Sequence, residues 1–168
     1  MKRTSTQPEH FKKMTMDFYE AYQMVNEYIA DLYNLPKKFV EEAEPAMERY
    51  MREYGEPGAP RKNVVSYPDV VDFMEQLDDL TLETLYLFKQ HKMHFDKSTV
   101  YMKKVTIGEM GVQKTAAATA TAQKKQLISE LSVLNAGLMD IKTKADEMVE
   151  KMERLEMKWF RLKKKIHE

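Results

Sequence analysis

Twelve apolar residues toward the C-terminal end of this chain recur at steps of four and three. They are Leu127, Leu131, Leu134, Leu138, Ile141, Ala145, Met148, Met152, Leu155, Trp159, Leu162 and Ile166. An α-helix turns once per ~3.6 residues, so this spacing sets all of them along one face. A seam of that length is a surface made to be covered by other helices. It predicts assembly of helices rather than chemistry.

The edges of the seam limit what can cover it. With Leu131 at heptad position a and Leu134 at d, the g edge reads Glu130, Gly137, Lys144, Lys151, Lys158 and Lys165. The e edge reads Asn135, Lys142, Val149, Glu156 and Lys163. In a parallel homodimer each g residue faces the e residue five positions later on its partner. Lys151 and Glu156 would attract, Lys158 and Lys163 would repel, and Lys144 would face Val149. The lysine row is better matched by an antiparallel fold-back, or by a partner helix with acidic edges. Asp17, Glu20, Glu27, Glu41, Glu42, Glu44 and Glu48 offer such edges within this chain. Trp159 sits at an a position and is too bulky for an ordinary two-stranded core. It reads either as a plug between more than two helices or as an exposed anchor for a partner.

Charge is balanced overall, 27 basic against 27 acidic residues, but unevenly distributed. Residues 1–57 carry eight basic and eleven acidic side chains, whereas residues 101–168 carry fourteen and nine. An acidic front and a basic back suit packing within the chain or against a partner. The absence of cysteine excludes disulfide frameworks and thiolate metal sites. No stretch approaches the ~20 apolar residues of a membrane span, and no secretory signal is visible. A soluble, intracellular protein is expected. Only five glycines occur in 168 residues, lean for an enzyme whose loops must cradle a ligand.

Upstream of the seam the pattern is also helical. Thr6 followed by Glu9 reads as a capping box with Pro8 in the first turn. The first helix then presents Phe11, Met14, Phe18, Ala21, Val25, Tyr28, Leu32 and Leu35. Asn34-Leu35-Pro36 ends it, because proline disfavours helix in the preceding residue. A second helix presents Val40, Ala43, Met47, Tyr50 and Tyr54. Pro45 there marks either a kink or the true first turn. The short connection favours an antiparallel hairpin of the two. Tyr19, Tyr22 and Tyr33 flank the first seam and widen its apolar face.

Residues 55–65 hold two glycines and two prolines and read as a loop. A new helix is expected at Ser66, with Val70, Phe73, Leu77 and Leu80 as its apolar face. Asp78-Asp79-Leu80-Thr81 reads as a break, with Thr81 capping the next segment. From Leu82 to Val105 the apolar residues (Leu85, Leu87, Phe88, Met93, Phe95, Val100 and Met102 among them) are dense but irregular. That is the pattern of a helix contacted on more than one side. Gly108 and Gly111 are expected to interrupt it. Residues 115–122, alternating alanine and threonine, read as helix continuing into the seam, with a flexible linker as the alternative.

Candidate chemistry is sparse. Gly108, Lys114 and Thr115 match positions of a phosphate-binding loop, but Gln113 stands where that loop needs glycine, and no parallel strands surround it. It reads as a turn. His91 and His94 share a helix face and could form half a metal site, but no matching histidine pair completes it. They read as boundary residues. Glu41, Glu42, Glu44 and Glu48 read as a solvated or salt-bridging face. Lys158, Arg161, Lys163, Lys164 and Lys165 form a basic patch with Trp159 and Phe160 interleaved. Cations also suit the C-terminal end of any helix.

The expected fold is all-α: an elongated helical bundle with an N-terminal helical hairpin (6–54), a loop, a middle helical region (66–112) and a long C-terminal coiled-coil helix (115–167). The expected function is a non-enzymatic structural or adaptor subunit, joining other helical proteins or copies of itself through the seam. The second reading is binding of an anionic membrane or nucleic acid through the basic end. No catalytic residue, cofactor, metal or small-molecule substrate is expected.

Overall fold

The structure, a computed structural model, describes residues 6–54, 67–112 and 117–167, with side chains for 10–52, 68–105 and 122–165. It is an all-α bundle, with no strand among the described residues. Helix α1 spans Thr6–Leu32, α2 Leu35–Tyr54, α3 Tyr67–Val112 and α4 Ala117–His167. The expected loop at 55–65, the helix start at Ser66, and Lys114 and Thr115 lie outside the described residues.

Helix α1 ends at Leu32 and α2 begins at Leu35, with Tyr33 and Asn34 between them. The Tyr33 amide donates to the Ala30 carbonyl at 3.3 Å, tightening the end of α1. The Lys38 amide donates to the Asn34 carbonyl at 3.0 Å and opens α2. Asn34 therefore takes the N-cap position that asparagine favours, and Pro36 falls in the first turn, where a missing amide costs no hydrogen bond. Pro45 lies inside α2, so it does not mark that helix's first turn.

Helix α3 is one helix of 46 residues, and this corrects the segmented reading. Asp78-Asp79-Leu80-Thr81 does not break it. The Thr81 hydroxyl donates to the Leu77 carbonyl at 3.0 Å, so it bonds back within the helix instead of capping a new one. Leu77 and Leu80 are both buried there and hold the segment to the core. Gly108 and Gly111 are helical as well. Each glycine costs roughly 1 kcal/mol against alanine, which a long helix absorbs.

The chain divides into two compact units. The first comprises Met1–Ile29 and Lys89–Thr143. Its core joins Phe11, Phe18, Tyr22, Val25 and Ile29 of α1 to Tyr101 and Val105 of α3 and to Leu131, Leu134, Leu138 and Ile141 of α4. Here α3 and α4 run antiparallel: Gln90 donates to Asp140 at 2.8 Å, and Tyr101 donates to the Leu127 carbonyl at 3.0 Å.

The second unit comprises Ala30–Phe88 and Lys144–Glu168. Its core joins Leu32, Phe39, Ala43 and Met47 to Val70, Phe73, Leu77, Leu80 and Leu87 of α3, and to Ala145, Met148, Met152, Leu155 and Trp159 of α4. The α3 and α4 segments are again antiparallel, with Lys158 donating to Gln76 at 2.9 Å and Thr84 lying 3.3 Å from Met148 Sδ.

Two of the upstream seams are rephased. In α1 the buried set includes Tyr22 and Ile29, while Ala21 and Tyr28 are only half-buried and Leu35 is exposed. In α2 Phe39 is buried and Val40 half-buried. Steps of three and four fit either phase when both carry apolar residues. Packing selects between them, burying Tyr22 over Ala21, Ile29 over Tyr28 and Phe39 over Val40.

Fully burying an aliphatic side chain stabilises by about 1.5–3 kcal/mol, and deleting it leaves a cavity as well. Leu131→Ala and Ile141→Ala, at positions with no exposure, are expected to cost about 2–5 kcal/mol each in urea denaturation. Val133→Ala, at a position 70% exposed, is expected to cost less than about 0.5 kcal/mol.

Candidate functional site

The predicted seam lies inside the protein. Leu131, Leu134, Leu138, Ile141, Ala145, Met148, Met152, Leu155 and Trp159 are buried, and Leu127 and Leu162 are half-buried. The side chain of Ile166 lies outside the described residues. Own segments cover this face, and the lysine edge finds its acids within the chain. Lys151 pairs with Glu83, Lys158 lies 3.9 Å from Asp72, and Lys163 lies 3.3 Å from Glu42. Such exposed pairs contribute ~0–1 kcal/mol each, so they set direction and register more than stability. Trp159 stacks on Phe73 with ring centroids 6.1 Å apart and planes at 16°. It is a core residue, although its buried indole N–H meets no acceptor among the described residues.

The two histidines form a polar layer in the first unit, not half a metal site. The buried His94 donates from Nε2 to the Leu134 carbonyl at 2.8 Å, which leaves Nδ1 to accept from Ser98 at 3.4 Å. Its ring leans on Phe18 and Tyr22. His91 Nε2 lies 2.7 Å from the Asn26 side-chain oxygen. Both rings are thus engaged in separate hydrogen bonds. Among the described residues, no group of three histidine or carboxylate side chains is placed to hold a metal. Gly137 makes the layer possible, because a Cβ there would sit 3.1 Å from His94 Cδ2. Partial burial, and next the neighbouring His94, hold His91 below the ordinary histidine value of 6.5.

The phosphate-loop resemblance also fails on geometry. Residues up to Val112 are helical, where such a loop needs an open, glycine-rich turn. Of the acidic group, Glu41, Glu42 and Glu48 are exposed, and Glu42 serves as the partner of Lys163.

What the core leaves outside is more informative. Leu82, Leu85 and Tyr86 of α3 are 53%, 62% and 71% exposed. In the second unit Leu85 lines a groove of about 210 Å³ between α2 and α3, whose other walls include Tyr33, Pro36, Val40 and Phe88. Tyr33 packs on Phe88 at 5.0 Å between centroids. In the first unit a groove of about 480 Å³ lies between α3 and α4, floored by Val100, Tyr101, Val133 and Leu134 and rimmed by Asp96, Lys97, Lys104 and Glu130. No α1 residue lines it. Burial, and then the Glu130 carboxylate, push the Tyr101 phenol up to about 12, so it stays a neutral donor. The sequence signal for these faces was the irregular apolar density after Leu82.

The basic end is partly consumed. Lys158 and Lys163 serve the ion pairs already described, and Lys163 also lies 6.0 Å from the Trp159 ring centre. Lys164 covers the exposed Phe160 ring at 4.5 Å. Arg161, Lys164 and Lys165 are exposed and make no ion pair among the described residues. No described helix is long and apolar enough to cross a membrane.

Comparison with protein-family models, curated proteins and solved structures finds no match.

Because His91 is held neutral by the fold, unfolding takes up a proton between its folded value and 6.5. Its contribution to stability is complete above 6.5 and falls as pH drops through that value. His91→Gln is expected to flatten this part of the stability–pH profile, measured by denaturant titration at several pH values. Gly137→Leu, which must displace His94, is expected to destabilise by about 1–3 kcal/mol in thermal unfolding.

Proposed function

We propose that this chain is a non-enzymatic structural or adaptor subunit that receives helices of other chains, or of further copies of itself, on the outer faces of α3. The seam of α4 builds the subunit, and the assembly surfaces lie elsewhere. One observation carries the reading. Helix α3 holds more apolar side chains than the described residues of its own chain cover: Leu82, Leu85 and Tyr86 are more than half exposed, and Leu85 lines an apolar groove. A groove between two packed helices has the ridge spacing that accepts a third. Tyrosine and leucine in a small cluster with a charged rim (Lys37 and Glu41 here) suit an interface better than a solvated surface.

Nothing in the described geometry supports catalysis to the same degree. The buried polar groups of the first unit satisfy one another, and the groove between α2 and α3 is walled mainly by apolar side chains.

Light scattering and site-specific photo-crosslinking test the proposal together. A crosslinker at position 85 is expected to capture a helical partner or a second copy, with one at exposed Glu153 as the control. Leu85→Glu with Tyr86→Glu is expected to abolish that product and any mass above the 19.8 kDa monomer, with helix content unchanged. Equal capture at 85 and 153, from a monomeric chain, would defeat it.

A further inference from the structure

We propose that the last two turns of the α4 side-chain surface form a docking face for an anionic lipid bilayer. Met157, Phe160, Arg161 and Lys164 follow one another at i, i+3, i+4 and i+7, so they share the side of the helix turned away from buried Leu155 and Trp159. Met157 and Phe160 are 60% and 59% exposed, although both are large and apolar. Residues 157–165 contain five cations and no acid. The acids of α2 and α3 engage Lys158 and Lys163 and leave Arg161, Lys164 and Lys165 facing outward. Glu150 and Glu153 lie farther back along the same helix, which confines the basic face to its end.

Cations flanking exposed Met and Phe are complementary to a surface that is negative outside and apolar just beneath. Phosphate and serine headgroups meet the guanidinium and ammonium groups, while the apolar pair enters the headgroup–acyl boundary. Nucleic acid fits less well. Base stacking needs an open aromatic face, and the Lys164 ammonium sits over the Phe160 ring at 4.5 Å. Met157 offers no stacking plane. A lysine lying along a ring can still move its ammonium toward headgroups as the ring inserts edge-first.

The test separates the outward cations from the basic total. Sedimentation with vesicles of phosphatidylcholine containing phosphatidylserine measures the full-length chain, Arg161→Gln/Lys164→Gln, and Lys158→Gln/Lys163→Gln. The two variants lose the same charge. Each outward cation is worth about five-fold in partitioning, so the first variant is expected to bind about twenty-five-fold more weakly. The second is expected to change about two-fold or less. Met157→Ser/Phe160→Ser is expected to weaken binding with net charge intact. Circular dichroism confirms the fold of each. Equal losses in the two charge variants, binding that ignores phosphatidylserine content, or tighter binding to an oligonucleotide than to vesicles would each overturn the proposal.

Discussion

The burial of the α4 seam against segments of the same chain is the constraint on which the rest of the structure depends. Helix α4 contributes to the core of both units, from Leu131 to Ile141 in one and from Ala145 to Trp159 in the other. Hydrophobic burial has no direction of its own. Direction comes from the flanks, where Lys151, Lys158 and Lys163 find Glu83, Asp72 and Glu42. Those pairs are weak individually; Lys151–Glu83 and Lys158–Asp72 fit the antiparallel register of α3 and α4, and Lys163–Glu42 joins α4 to α2.

A polar layer adds specificity to the first unit. His94, Ser98 and the Leu134 carbonyl satisfy one another in a position that an apolar residue would fill without regard to register. The approach of His94 to α4 depends on Gly137 being without a side chain. Buried polar residues with a single set of partners disfavour slipped alternatives, because any slip leaves them unpaired. The unpaired indole N–H of Trp159 in the second unit is a small cost of the opposite kind, accepted for the stacking area against Phe73.

With the seam internal, the surfaces left open are those the core did not need. The apolar residues after Leu82 divide between two roles along α3. Leu87 and Val105 are core, whereas Leu85, Tyr86, Met93 and Val100 face outward. The pattern predicts a helix contacted on more than one side, and no described part of this chain covers Leu85, Tyr86, Met93 and Val100. The basic end divides in the same way, into lysines that close the bundle and cations that remain available.

The helical class, the approximate ends of α1, α2 and α4, and the inward face of α4 were legible in the sequence. They depend on local periodicity and on prolines and caps, and these act over a few residues. The acidic partners of the lysine row were legible in kind, since charges of one sign on one edge call for the other sign opposite. Tertiary structure alone decided the remainder. It chose Tyr22 and Ile29 over Ala21 and Tyr28, because two phases of a heptad are equal until a neighbour packs on one of them. It carried α3 through Thr81, where Leu77 and Leu80 are buried, and on through Gly108 and Gly111. It buried His94 opposite a glycine forty-three positions away. It also assigned each cation of the C-terminal run either to a carboxylate or to the open surface. These are contacts between residues far apart in the chain, and a periodic pattern carries no information about which distant residue will stand across from it.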